Sequence, residues 1–510
     1  MGKRNSKHAI RRHIGICAIF CFMIVLLLMN QPASSRKEVQ RPFRTALFGP
    51  QMTVFDPVGI NEYNEITFIS QICGRLTAVD EAITVEGDLS SGWEISDKGL
   101  RYEFTLKPQR VFADGSPVTA KDVAYTFQRV SSTESVAASW NESVKSVAIL
   151  AENRIRVDLH FANPNFLYIL SHPRYCVLNH QRPFYKIGHS EVPNSSGAYQ
   201  VEEIGQKSIR LKVTDPYFKK AIEKQIDVYF LSQDEAVKAF ASGELDDLSF
   251  YLLSDKEIES VKADARVLKT EFYWTWFMNL NPSRKIFSDG ASRREFLRNF
   301  NLETLYSSAD WKDSVRRTHS VVPTGMISAF SFVWNSNEKV EVRETPRACK
   351  EVLQVVIIEG MPVQDHLQKL LESEISKASG CETVAKVLDM KNWMLDQANK
   401  TSDIYVSGLD TNSTDPLGFY RYFVSKSSEN LVGHSSPAFD AQYNSLLHQN
   451  PKERTKEDFE RLEQTFRAAG FGIGLGQPEF RFVYGRSVSN VHMNPLGMHL
   501  NRWWKIGREG

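Results

Sequence analysis

Polar and apolar residues alternate sharply over Arg101–Leu106, where Tyr102, Phe104 and Leu106 stand between Arg101, Glu103 and Thr105. A period of two is the mark of a strand with one buried face. The pattern returns at Ile155, Val157, Leu159 and Phe161, and at Ile209, Leu211 and Val213 within a β segment over 198–213. Asp114-Gly115-Ser116-Pro117 predicts a turn, because glycine accepts positive φ and proline fixes the backbone beside it. Thr119 and Asp122 have the spacing of a capping box ahead of Val123, Phe127 and Val130, which recur at helical spacing. Gln233–Ala241 reads as a helix stopped by Gly243. Upstream, 44–74 reads as a strand, a loop and a short helix.

An aromatic strand over 272–280 leads to Pro282, after which the pattern changes. Val352–Ile358 is a continuous apolar strand, 363–378 an amphipathic helix, 383–388 an alternating strand, 391–399 a helix and 403–407 a strand. This βαβαβ order predicts a separate α/β lobe with a largely buried sheet. At 510 residues the chain exceeds what one core serves, so two or three lobes are expected.

Composition narrows the class. With 42% hydrophobic and 24% charged residues, the chain reads as folded. The net charge of +1 conceals an asymmetry: Lys3, Arg4, Lys7, Arg11 and Arg12 are unopposed in the first 35 residues, so the remainder is slightly acidic. Such a body lacks the basic face that nucleic acid requires. The basic start precedes an uncharged apolar run over 14–29, the pattern of an export signal. Two readings stand: cleavage after Ala33-Ser34-Ser35, or an uncleaved anchor in the cytoplasmic membrane. Either way the remainder crosses, which predicts a periplasmic protein. Cys17 and Cys21 lack the small residue that lipid attachment needs. In an oxidising compartment Cys73, Cys176, Cys349 and Cys381 allow three disulfide pairings. Cys349–Cys381 is favoured because both flank one α/β segment; four buried thiols are the alternative.

No motif for catalysis emerges. The G-x-S-x-G elbow, the phosphate-binding G-x-x-x-x-G-K-S/T loop and the H-E-x-x-H helix are missing. The 12 histidines are scattered without metal-ligand spacing, and no cofactor or metal is expected. Gly470, Gly472, Gly474 and Gly476 read as a turn and a strand where backbones approach closely. Asp246-Asp247 reads as a pair of solvated surface groups.

One stretch is more specific. Gly92-Trp93-Glu94-Ile95-Ser96-Asp97, Tyr102-Glu103-Phe104-Thr105-Leu106-Lys107 and Phe112-Ala113-Asp114-Gly115-Ser116-Pro117-Val118-Thr119-Ala120-Lys121-Asp122-Val123 resemble the signature region of the bacterial extracellular solute-binding proteins, family 5. Ser195-Ser196-Gly197-Ala198-Tyr199, Ser242-Gly243-Glu244-Leu245-Asp246, Ser288-Asp289 before Arg293-Arg294, Ser436-Pro437-Ala438-Phe439-Asp440 and Asn494-Pro495-Leu496-Gly497 resemble later family segments in the same order. The resemblance covers about 44–507. It implies an α/β, two-lobed periplasmic-binding-protein-like fold of class II type, with an extra third region, a hinge and an interlobe ligand cleft. Lobe I would combine 41–71, 191–281 and 489–510, the extra region would be 72–190, and lobe II would be 282–488.

The resemblance also implies a function: the substrate-binding component of an ABC-type peptide importer, not an enzyme, passing a peptide or peptide-like solute to permease subunits. A membrane-anchored sensor or orphan binding protein of the same fold is the alternative. The family's peptide binders place an acidic residue in lobe II against the ligand's α-ammonium. In Gly408-Leu409-Asp410-Thr411-Asn412-Ser413-Thr414-Asp415-Pro416, aligning Asp415-Pro416 puts Asn412 there, and Leu409 replaces the family's tryptophan. Asp410 substitutes if the loop shifts by two residues. Tyr63, Asn64, Glu65, Trp274, Trp276, Trp393, Phe419 and Tyr420 complete the candidate ligand contacts, since aromatic faces adapt to varied ligands. Alternation puts Trp274 and Trp276 on one face of their strand, opposite Tyr273 and Phe277.

Overall fold

In the computed structural model, β1 (Phe43–Phe48) runs into a loop and then helix α1 (Tyr63–Ile72). The structure describes residues 41–60, 63–213, 218, 221, 223–251, 253, 255–308, 311, 315–318, 320–327, 333–334, 349–359, 364–411, 414–449, 453–491, 493–494, 496–497 and 502–508. The expected export segment and Asn412 lie outside them. A four-stranded layer follows, built from β2 (Ser90–Ser96), β3 (Arg101–Leu106), β4 (Val144–Ala151) and β5 (Arg154–Leu159) in the order β2-β3-β5-β4. Helix α2 (Ala120–Ser132) packs Val123, Phe127 and Val130 onto Phe104, Ile155 and Val157 of that layer. Asp122 accepts from the Thr119 N–H at 2.8 Å and from its hydroxyl at 2.7 Å, holding the start of α2 in place. The strand containing Ile155 ends at Leu159, so Phe161 lies just beyond it.

The expected β segment near 198–213 is a hairpin of β6 (Tyr199–Ile204) and β7 (Ser208–Val213), joined by β8 (Gln225–Leu231). The sheet order is β1-β8-β7-β6, with β1 parallel to β8. Helix α3 (Gln233–Ala241) is capped by Ser232 and followed by Gly243 at φ +74°.

The later half contains β9 (Ala265–Glu271), β10 (Trp274–Leu280), α4 (Gly290–Asn299), β11 (Val352–Ile358), α5 (Gln364–Ser379), β12 (Glu382–Leu388), α6 (Met390–Asn399), β13 (Ile404–Asp410), α7 (Pro437–His448), α8 (Lys456–Ala469) and β14 (Gly472–Gly485). One seven-stranded sheet collects its strands in the order β9-β14-β10-β13-β11-β12, with the short strand Val315–Arg316 on β14. β11 is parallel to both β12 and β13, as the βαβαβ pattern requires. β10 is antiparallel to β13 and β14.

The two lobes have separate cores. Phe43, Leu47, Phe68, Ile209, Ile226 and Val228 gather in one, and Met278, Leu280, Val355, Ile357, Leu371 and Ile404 in the other. Each fully buried side chain of this size contributes roughly 1.5–3 kcal/mol. Two stretches of chain pass between the cores side by side. Phe272 belongs to the first core and Trp276, Met278 and Leu280 to the second; on β14, Ile473 and Leu475 belong to the second and Phe480, Phe482 and Tyr484 to the first. Gln477, fully buried at this passage, donates from Nε2 to the Phe272 carbonyl at 2.9 Å. Gly476 holds φ +152°, and a Cβ there would stand 2.2 Å from Val315 Cγ1. The glycine series is thus a close-approach device, with Gly470 ending α8 in a left-handed cap at φ +66°.

Two disulfides join Cys73 to Cys176 and Cys349 to Cys381. The favoured pairing is present, and the other two cysteines pair as well. Asp246 and Asp247, in contrast, are not solvated surface groups: both are buried. Their segment stitches β1 to β14, with Asp246 N–H donating to the Arg44 carbonyl at 2.8 Å and Leu248 N–H to the Val483 carbonyl at 2.7 Å. The stitching draws both carboxylates inward. Asp246 Oδ2 then accepts from the Arg44 N–H at 2.8 Å, and Asp247 Oδ2 from the Ser249 hydroxyl at 2.5 Å.

Candidate functional site

The ladder between β10 and β13 sets Trp274 opposite Asp410 and Trp276 opposite Gly408. Directly opposed residues share a face of the sheet, with Cβ atoms roughly 4.5–5.5 Å apart. Both indoles therefore lie over the Gly408–Asp410 end of β13. Their rings are 5.1 Å apart, confirming the shared face that alternation predicts. Trp276 is a core residue at 2% exposure, whereas Trp274 is only partly buried and packs against both lobe cores. Trp274 stacks on Phe480 at 5.4 Å with 16° between planes. A Cβ on Gly408 would stand 1.6 Å from Trp274 Nε1, so only glycine leaves the indole room.

Asp410 is open to solvent, yet desolvation by the surrounding protein raises its carboxyl above the ordinary value. The Tyr422 hydroxyl donates to the Asp410 carbonyl at 3.3 Å. Burial raises the Tyr422 hydroxyl, and the Asp410 charge raises it further. No cation pairs with the Asp410 carboxylate among the described residues. Burial lowers the Arg174 guanidinium, and the charge of Arg421 lowers it further. Arg174 Nη2 donates to the Ile60 carbonyl at 3.0 Å, and Arg421 pairs with Glu429. A separate hollow of about 340 Å³ is lined by Phe48, Gln51, Lys207, Phe230 and Glu235. Its Lys207 and Glu235 pair at 3.1 Å, so it offers no bare charge comparable to Asp410.

The other sequence candidates divide. Trp393 packs in the second core edge-on to Tyr405, while Phe419 and Tyr420 are fully buried in a third cluster. Tyr63, Asn64 and Glu65 form the first turn of α1, where Asn64 Nδ2 donates to the Phe48 carbonyl. Asp415 is committed elsewhere: it pairs with Arg454 and accepts from Asn165 Nδ2 at 3.0 Å. That last bond and the 5.8 Å contact between Phe161 and His448 join the 72–190 region to the later half. Sequence reasoning missed Tyr422 as a neighbour of Asp410. It also missed Gly408 as a seat for an indole, although its spacing of two from Asp410 already put both on one face.

The fold is that of a two-lobed solute-binding protein. The oligopeptide-binding protein AppA from Bacillus subtilis, solved with a nonapeptide, superposes with a TM-score of 0.75 at 15% identity, covering 92% of this chain and 100% of that one. Among sequences, a putative binding protein from Haemophilus influenzae is 19% identical over 455 residues, 84% of each chain. The probable D,D-dipeptide-binding periplasmic protein DdpA of Escherichia coli is 20% identical over 433 residues, 81% of this chain and 83% of its own. Residues 84–326 match the model of the bacterial extracellular solute-binding proteins, family 5 Middle.

Proposed function

We propose that this chain is the solute-binding component of an ABC-type importer for dipeptide- or oligopeptide-like solutes. It captures its solute between two lobes, outside the cytoplasmic membrane, and hands it unchanged to permease subunits. The carrying observation is Asp410, an exposed carboxylate with no cation partner among the described residues, directly across the ladder from Trp274. A desolvated carboxylate is costly unless a partner neutralises it. A ligand ammonium supplies that charge together with hydrogen-bond donors, and the pairing is strong where water is excluded. Trp274 contributes apolar area beside it.

In this reading, 41–71, 191–281 and 489–510 form lobe I, 72–190 the region packed on it, and 282–488 lobe II. The paired passage of β10 and β14 between the cores is the hinge about which the lobes close. Asn412 and the Tyr63-Asn64-Glu65 turn are further proposed contacts. The relatives support the solute class: AppA was solved with a nonapeptide, and DdpA is described as binding D,D-dipeptides.

Native mass spectrometry of the protein taken from its own periplasm tests the reading, because a trapped solute identifies itself by mass. The expected result is a co-purified peptide or peptide-like molecule, with thermal stabilisation on adding it back to stripped protein. A ligand with no amine or amide group would overturn it.

A further inference from the structure

One turn of the 72–190 region reaches the later half of the chain with three side chains. Phe161, Asn165 and Tyr168 lie around the short helix Phe166–Ile169, whose Phe166, with the following Leu170, is fixed in that region's own core. Each of the three meets a residue of the 282–488 half. Asn165 Nδ2 donates to Asp415 Oδ2 at 3.0 Å, and the Phe161 ring stands edge-on to the His448 imidazole at 5.8 Å. Burial raises the Tyr168 hydroxyl, opposed by a hydrogen bond with Thr414. The rest of Tyr168 packs against the third cluster, which holds Phe419, Phe439 and Phe466.

Asp415 does not need Asn165 to balance its charge, because Arg454 pairs with it inside the same half. Asn165 therefore gives a bond to an ionised acceptor, which is strong, yet its departure strands no buried charge. A contact with both properties can hold and can let go.

We propose that this turn is a catch: Phe161, Asn165 and Tyr168 grip lobe II and hold the lobes shut even when no solute is bound. The assignment rests on the two-lobed closure proposed above and goes beyond it, since part of the closing energy then resides in the 72–190 region rather than in the solute. The catch favours the shut state of the empty and the loaded protein alike, so it slows solute escape without recognising the solute.

The test is small-angle scattering from the full chain, freed of solute by reversible unfolding, with each profile fitted as a mixture of shut and open populations. Wild type is expected to be mostly shut. Asn165→Leu, which leaves the Asp415–Arg454 pair in place, is expected to raise the open-to-shut ratio about ten-fold, the equivalent of one hydrogen bond to a charged group. Phe161→Ala should raise it by a smaller factor, and the double variant by more than either. Asn165→Asp sets a second carboxylate against Asp415, should also open the protein, and serves if the leucine variant does not fold. Equal ratios in wild type and in folded Asn165 and Phe161 variants would overturn the catch, as would a wild type that is fully open when empty. Because no ligand is used, the catch fails separately from the peptide-import reading, which the trapped solute decides.

Discussion

Arg454 and Asp415 form a buried ion pair, Nη1 to Oδ2 at 2.9 Å, with side chains 0% and 2% exposed. The Asp415 carboxylate also accepts from the Leu417 N–H at 3.0 Å and from Asn165. Breaking such a pair leaves an uncompensated charge inside the protein, at a cost of about 3–5 kcal/mol. Asp415→Ala should lower stability by this amount in urea denaturation. Asp415→Leu combined with Arg454→Met should recover most of the loss, because no buried charge remains.

The buried Asp247 predicts a pH dependence. Desolvation, helped by the charge of Asp246 and opposed by hydrogen bonds from Ser249 and Thr45, pushes its carboxyl up to about 7. In the unfolded chain the value is about 3.9, so the folded state holds the proton more tightly. The associated stability is complete below about pH 4 and is lost as pH rises to about 7, a change on the order of 4 kcal/mol. Asp247→Asn should flatten this part of the stability profile and be more stable than wild type at pH 8, measured by urea midpoints from pH 5 to 8.

Gly197 should not tolerate a side chain. A Cβ there would stand 2.1 Å from the Ile72 carbonyl carbon and 2.3 Å from Cys73 N, both rigid backbone atoms. Gly197→Ala is expected to cost about 3 kcal/mol, at the upper end for overpacking, and to lower the melting temperature measured by calorimetry.

The disulfides should contribute unequally. Cys73–Cys176 closes a sequence separation of 103 residues and Cys349–Cys381 one of 32. Chain entropy assigns more stabilisation to the longer loop, within a range of about 2–5 kcal/mol. Serine replacement of both members of each pair should destabilise the Cys73/Cys176 variant more, as read from denaturant midpoints.

The legible part of this fold was the part governed by local period. Tyr102, Phe104 and Leu106 are buried and their neighbours half-buried, as alternation requires, and α3 spans the residues read from sequence. The Asp246-Asp247 pair was misread because its burial arises from backbone bonds to Arg44 and Val483, about 200 and 235 positions away in the chain. The candidate site was half legible for a similar reason. Alternation put Trp274 and Trp276 on one face, but the difference in their exposure depends on packing against two cores. Phe419 and Trp393 have the same aromatic character as Trp274, and sequence pattern alone does not distinguish a partly exposed ring from a buried one.

The side-by-side passage of β10 and β14 also bears on durability. Because two strands bridge the halves and Gln477 cross-links them, a single backbone cut at one crossing leaves the other as a tether. The halves then remain at high effective concentration for one another. A protease that nicks one bridge should thus leave a particle that sediments as an intact protein until denaturant separates its fragments.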